Sequence, residues 1–303
     1  MAARSEGAGR PSWTARRRAS AAFWRRPWLR GASLLGLPLG LFALIYVAAI
    51  GVLFISAFWS LDPLSGKIVH SWGLGNFRTL WHDHTYWHIA GRTIGLATAV
   101  TVTDVILAFP FAYFMARIAG PRQRTVLFVI VLLPLWSSYL ARIYAWRLIL
   151  SNEGALNWSL GGLGLPHQHI AYTNWAMWIV FSYIWLPFMI LPIYAALERI
   201  PDNFIEASRD LGARNWTTFR RVVLPLALPG VIAGTIFTFS LTLGDYITPI
   251  LVGNTQFIGN VVYRNVLGLS YDLPFAAAFA TVPLVVMGVY LVLARRAGAF
   301  EAL

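Results

Sequence analysis

The chain of 303 residues contains no cysteine. That absence excludes disulfides, thiolate metal sites and cysteine-based catalysis. It has no GxxxxGK[ST] run, so it cannot cradle ATP on a P-loop. Charge is scarce as well. Charged residues make up 12% of the chain against 58% hydrophobic, about half the charged fraction of an ordinary soluble domain. So few charges cannot cover a water-exposed surface of this size, and the bilayer is the implied solvent, with a helix bundle as its default architecture. The apolar runs are continuous, unlike the ten-residue alternating segments of a membrane β-barrel. Lys67 is the only lysine, which we read as compositional bias without functional weight.

What is present is a series of six apolar windows, at 34–59, 89–116, 125–149, 173–197, 224–252 and 275–294. Each holds the ~20 residues needed to cross hydrocarbon. The third is the least regular, because Arg142 and Arg147 lie near its end, where their stems can carry the charge to the interface. A net charge of +12 suggests nucleic acid, but the arginines are gathered between apolar runs and form no basic face interleaved with aromatics. Segments 1–33, 117–124, 198–223 and 295–303 hold 18 of the 24 basic residues. Placing those segments inside gives a multi-pass protein with both termini in the cytoplasm.

Two readings exist for residues 1–33, a cleaved presequence or a disordered basic tail ahead of an uncleaved signal-anchor. An apolar run of about 26 residues is too long for a cleaved signal core and favours the second, leaving 34–303 as one transmembrane domain. Every window contains proline, at Pro38, Pro110, Pro134, Pro187 and Pro192, Pro229 and Pro249, and Pro283. Each removes a backbone donor and can kink its helix. Gly36/Gly40, Gly91/Gly95 and Gly230/Gly234 are GxxxG pairs, which permit close helix approach.

The polar loop 198–223 carries dense helix signals. Asn203 with Glu206 three residues later reads as a capping box. Phe204, Ser208 and Leu211 fall on one helical face beside Ala207, and Gly212 follows where a left-handed C-cap is wanted. Asn215 reads as the N-cap of a second short helix, 216–223. Arginines at 209, 214, 220 and 221 alternate with Asp202, Glu206 and Asp210. Mixed charge suits protein docking better than lipid binding, but physics alone leaves a docking element and a simple interfacial helix both open.

The spacing Glu206-Ala207-Ser208, then Gly212, then Val222-Val223-Leu224-Pro225 resembles the EAA loop of ABC-importer permeases. The family pattern has alanine where Ser208 stands and isoleucine where Val222 stands. Pro134 to Arg142 with Tyr144-Ala145-Trp146, Leu186 to Pro192, and Leu243-Gly244-Asp245-Tyr246 resemble segments of spermidine/putrescine-type permeases. The resemblance implies an all-α fold of six transmembrane helices, a type I importer bundle with a cytoplasmic coupling helix in a bacterial inner membrane. It implies a non-catalytic subunit that binds no cofactor. ATP and Mg would be held by a partner ATPase dimer, beside a second homologous permease and an extracytoplasmic binding protein. By the same resemblance, Glu206, Ala207, Ser208, Asp210, Gly212, Arg214 and Phe219 would dock the ATPase.

Candidates for the solute path are the intramembrane acids Asp104 and Asp245 with Trp136, Tyr139 and Tyr246, because carboxylates and aromatics suit an ammonium-bearing solute. The cluster His82, Asp83, His84 and His88 reads as an exposed loop rather than a metal site, since its spacing does not share a helix face. A self-sufficient secondary transporter and a membrane-embedded enzyme are the alternatives. Neither inverted repeats nor a convergent acid–base constellation is apparent in support of them.

Overall fold

The computed structural model describes residues 27–62, 64–268 and 271–296. Most of the expected basic tail lies outside them, and the first helix already begins at Pro27. The chain divides into two compact units, residues 1–55 and 56–303. In the first, α1 (Pro27–Ser56) supplies an uncharged apolar span from Leu35 onward.

The second unit opens with a two-stranded antiparallel ribbon, β1 (Ser60–Leu61) on β2 (Ile68–Val69). After it come α2 (Gly75–His82) and α3 (His84–Tyr113), which runs on through a π-helical turn, Phe114–Ile118. Asp83 caps α3 by accepting from the Thr85 amide at 2.8 Å, and that bond holds its carboxyl below the ordinary range. Next are α4 (Pro121–Trp136), α5 (Tyr139–Ile149), α6 (Ala155–Gly162) and α7 (Asn174–Glu198). A polar hairpin holds α8 (Asp202–Asp210) and α9 (Asn215–Thr218). Then come a second π-helical turn, Phe219–Val223, and α10 (Leu224–Gly244), α11 (Ile247–Leu251), α12 (Ile258–Leu267) and α13 (Leu273–Arg296).

Among the described residues, five helices are long and apolar enough to span alone. The third expected span is instead a broken one, because α4 and α5 meet at 95°. Pro134 supplies no amide, and the Ser137 amide and hydroxyl both turn back onto its carbonyl, at 3.3 and 2.7 Å. The fifth span differs too. It runs unbroken from Asn215, so the expected second short helix is its first turns, and it ends at Gly244 rather than at residue 252.

The centre of the unit is α7, packed on both α3 and α10, which also pack on each other. At one end Met115, Met189, Ile193, Leu197, Val223 and Ala227 form a closed core, and at the other Val100, Ile143, Met177, Phe181 and Ile184 form a second. Of the three GxxxG pairs, one is a packing seam. A Cβ on Gly230 would lie 2.6 Å from the Pro192 carbonyl oxygen, and one on Gly234 would lie 2.6 Å from Met189 Sδ. At Gly36, Gly40, Gly91 and Gly95 a Cβ would meet nothing within 4 Å.

Candidate functional site

The hairpin between α7 and α10 is built as a surface. Helix α8 has no buried residue, and Phe204 and Leu211 stay 52% and 88% exposed. Its end is a Schellman turn: Gly212 takes φ +78°, its amide donates to the Arg209 carbonyl at 2.8 Å, and the Ala213 amide donates to Ser208 at 3.1 Å. Between α8 and the start of the long helix runs a groove of ≈ 560 Å³, lined among others by Phe204, Ala207, Ser208, Leu211, Gly212 and Arg214.

The N-terminal end of α8 differs from the capping box. The helix starts at Asp202 after Pro201, with no side-chain cap bond. Asp202 is instead paired with Arg117 at 2.7 Å. Glu206, Ala207, Asp210 and Arg214 are exposed, as a docking face requires. Ser208 is half-buried, and its hydroxyl meets Thr218 Oγ1 at 3.0 Å, fastening the two arms. Phe219 turns into the bundle against Phe109 and Tyr113, with centroids 5.7 and 5.9 Å away. It therefore anchors the hairpin from behind.

Arginines that the sequence reading used only for orientation hold this region together. Arg117 donates to Asp202 and to the carbonyls of Leu197 and Ile200. Arg124 donates to Met115 and Ala116 carbonyls and pairs with Glu198 at 3.2 Å. Their partners are 74 to 85 residues away for the acids, so no local pattern signals them.

The solute-path candidates do not form one cluster. Asp104 is fully enclosed; the Ser182 hydroxyl of α7 lies toward its carboxylate, but no hydrogen bond of full geometry reaches either oxygen among the described residues. Thr101 donates to Ala97, and Thr103 accepts from Trp178 Nε1, so neither threonine serves it. Tyr139 and Asp245 do meet. Asp245 accepts from the Tyr139 hydroxyl, from Thr248 Oγ1 at 2.6 Å and from the Ile247 amide at 2.8 Å. This network pins α5 to the loop that ends α10, and Thr248 is a member that sequence reading missed. Tyr139 stacks on Trp185 with centroids 5.8 Å apart, and Arg142 lies 5.8 Å over its ring. Arg147 reaches Tyr172. Tyr246 stacks on Tyr263 at 4.7 Å, and Trp136 is 81% exposed. No group of three His, Cys, Asp or Glu able to hold a metal ion occurs among the described residues.

The described residues form a helical membrane bundle with an exposed, mixed-charge hairpin between two of its spans. Residues 98–298 match the family of binding-protein-dependent transport system inner membrane components, and the chain belongs to that family. It is thus an ABC-importer permease, a non-catalytic subunit whose ATPase is a separate chain. It is 43% identical to the inner membrane ABC transporter permease protein YdcU of Escherichia coli (strain K12), covering 93% of this chain and 94% of that one. It is 34% identical to the spermidine/putrescine transport system permease protein PotB of the same organism, covering 71% and 79%. A bacterial alginate ABC transporter, solved in complex with an alginate pentasaccharide-bound periplasmic protein, shares the fold with TM-score 0.74 at 21% identity over 92% of this chain and 96% of that one. The MetNI methionine ABC transporter in an inward-facing conformation gives 0.56 at 17% identity, over 72% and 95%.

Proposed function

We propose that this chain is one permease of a type I importer for a polyamine of the spermidine/putrescine kind, paired with a second permease above an ATPase dimer. An extracytoplasmic binding protein delivers the solute, and ATP with Mg is bound by the ATPase alone. The observation that carries the substrate class is the 34% identity to PotB. Residues 117–124 and 198–223 and both termini face the cytoplasm, in keeping with the placement of the arginines. Residues 1–26 are a basic segment ahead of the first helix. The ATPase docks on Glu206, Ala207, Asp210, Gly212 and Arg214, and its closure shifts the bundle between inward- and outward-open populations.

The test is capture and transport together. Gently solubilised protein is expected to bring down an ATPase subunit, and vesicles holding the reconstituted system are expected to accumulate putrescine or spermidine only with ATP. A homomer that transports without ATP would sink the reading, and ATP-driven uptake of an uncharged solute alone would sink its substrate part.

Within the path, Asp245 acts with Tyr139 at the broken third span. Asp245→Asn keeps the acceptor for the Ile247 amide but loses the anionic acceptor for the two hydroxyls. Hydrogen bonds to a charged group contribute ~1.5–3 kcal/mol, so uptake is expected to fall about tenfold with normal membrane abundance. Unchanged uptake removes Asp245 from the path.

A further inference from the structure

We propose that Arg117 is the positioning residue that transmits movement of the docking helix α8 to the transmembrane bundle. The proposal rests on reading the 202–218 hairpin as the ATPase-docking element. Arg117 sits in the π-helical turn that ends α3, and its side chain is 12% exposed. One nitrogen of its guanidinium binds the Asp202 carboxylate in the first turn of α8, at 2.7 Å. Another binds the Leu197 and Ile200 carbonyls where α7 ends; the Leu197 carbonyl also accepts the Ile200 amide at 3.3 Å. Three elements, α3, α7 and α8, therefore meet on one planar, permanently charged fork.

The geometry leaves α8 few other holds on the bundle. It has no buried residue, and its apolar attachment is the half-buried Ile205 against the core that Met115 and Leu197 share. On its far side it is tied by the Ser208–Thr218 bond to the start of the α10 span. A pull on α8 is thus passed in two directions, through Ser208 and Thr218 to α10 and through Arg117 to α3 and α7. Among the described residues the Arg117 Nε has no partner. Arg124 is the built-in comparison. It also ties α3 to α7, but its side chain is 37% exposed against 12% for Arg117, and its pair with Glu198 is longer, at 3.2 Å. Asp202 is itself 82% exposed, so the hold of Arg117 rests on its two carbonyl contacts. Exposed pairs of this kind contribute little.

The experiment uses the assembled transporter and reads three quantities: ATPase capture, ATP hydrolysis, and uptake per ATP. Arg117→Ala is expected to keep capture and hydrolysis but lose about tenfold in uptake per ATP, the size set by its part-buried, charge-assisted carbonyl contacts. Arg117→Lys, which keeps the charge without the fork, is expected to recover part of that loss. Asp202→Asn is expected to lose less, since both carbonyl contacts remain, and it carries the test should Arg117→Ala fail to fold. Arg124→Ala is expected to stay within about twofold of wild type. Wild-type coupling in Arg117→Ala and Asp202→Asn overturns the proposal. So does a loss that merely tracks loss of ATPase capture, which would make Arg117 part of the docking surface. Failure of the wild-type chain to capture any ATPase would instead overturn the docking reading beneath it.

Discussion

Gly230→Leu is expected to remove most folded protein from the membrane. Helices α7 and α10 approach along the Gly230/Gly234 seam, where a Cβ on Gly230 would sit 2.6 Å from the Pro192 carbonyl oxygen and also meet Ala196. A backbone carbonyl cannot step aside as a side-chain tip can, so the helices must separate. Separation opens the core around Met189, Ile193 and Ala227, and close packing is the main force that joins helices in lipid. Overpacking of this kind costs about 1–3 kcal/mol or more. Membrane abundance and thermal unfolding in detergent measure it. Gly91→Ala and Gly95→Ala are the controls, since a Cβ there meets nothing within 4 Å, and both should match wild type. A leucine at Gly230 tolerated as well as those alanines would show that the seam is not close-packed.

That contrast also marks what the sequence could reveal. Three GxxxG pairs look alike in one dimension, and only the facing residues Pro192, Ala196 and Met189 distinguish the packed one. Apolar run length places the spans, because hydrocarbon thickness fixes it locally. The 95° break after Trp136 is different. Pro134 hints at it, but the new direction of α5 is held by Asp245 and Thr248, more than 100 residues on. Gly212 was legible as a left-handed cap, since backbone chirality selects glycine there. The expected N-cap at Asn203 lies two residues beyond the observed one, Pro201. The helix begins instead at Asp202, whose carboxylate is engaged by Arg117 from another helix, so a tertiary partner replaced the local cap. Phe219 likewise fits a docking motif by position, yet its neighbours Phe109 and Tyr113 draw it inward.

Leu211→Asp is expected to leave abundance unchanged and to abolish ATPase capture. Leu211 is 88% exposed and supports no core, so its replacement has little to disturb in the isolated chain. It stands on the rim of the ≈ 560 Å³ groove with Phe204 and Ala207. An apolar side chain on so polar a hairpin is the type that anchors a partner. A central anchor contributes roughly 2 kcal/mol or more, so capture should weaken at least about thirtyfold. Gly212→Leu is expected to act on the same surface by another route. Leucine at φ +78° is strained, by about 1–2 kcal/mol, and relief of that strain breaks the turn that orients Leu211. Its capture should fall about tenfold, still with normal abundance. The two variants separate surface from linkage. Both should lose the ATPase itself, whereas the Arg117 variant should retain it and waste its ATP. If Leu211→Asp captures ATPase as well as wild type, the docking face lies elsewhere on the chain.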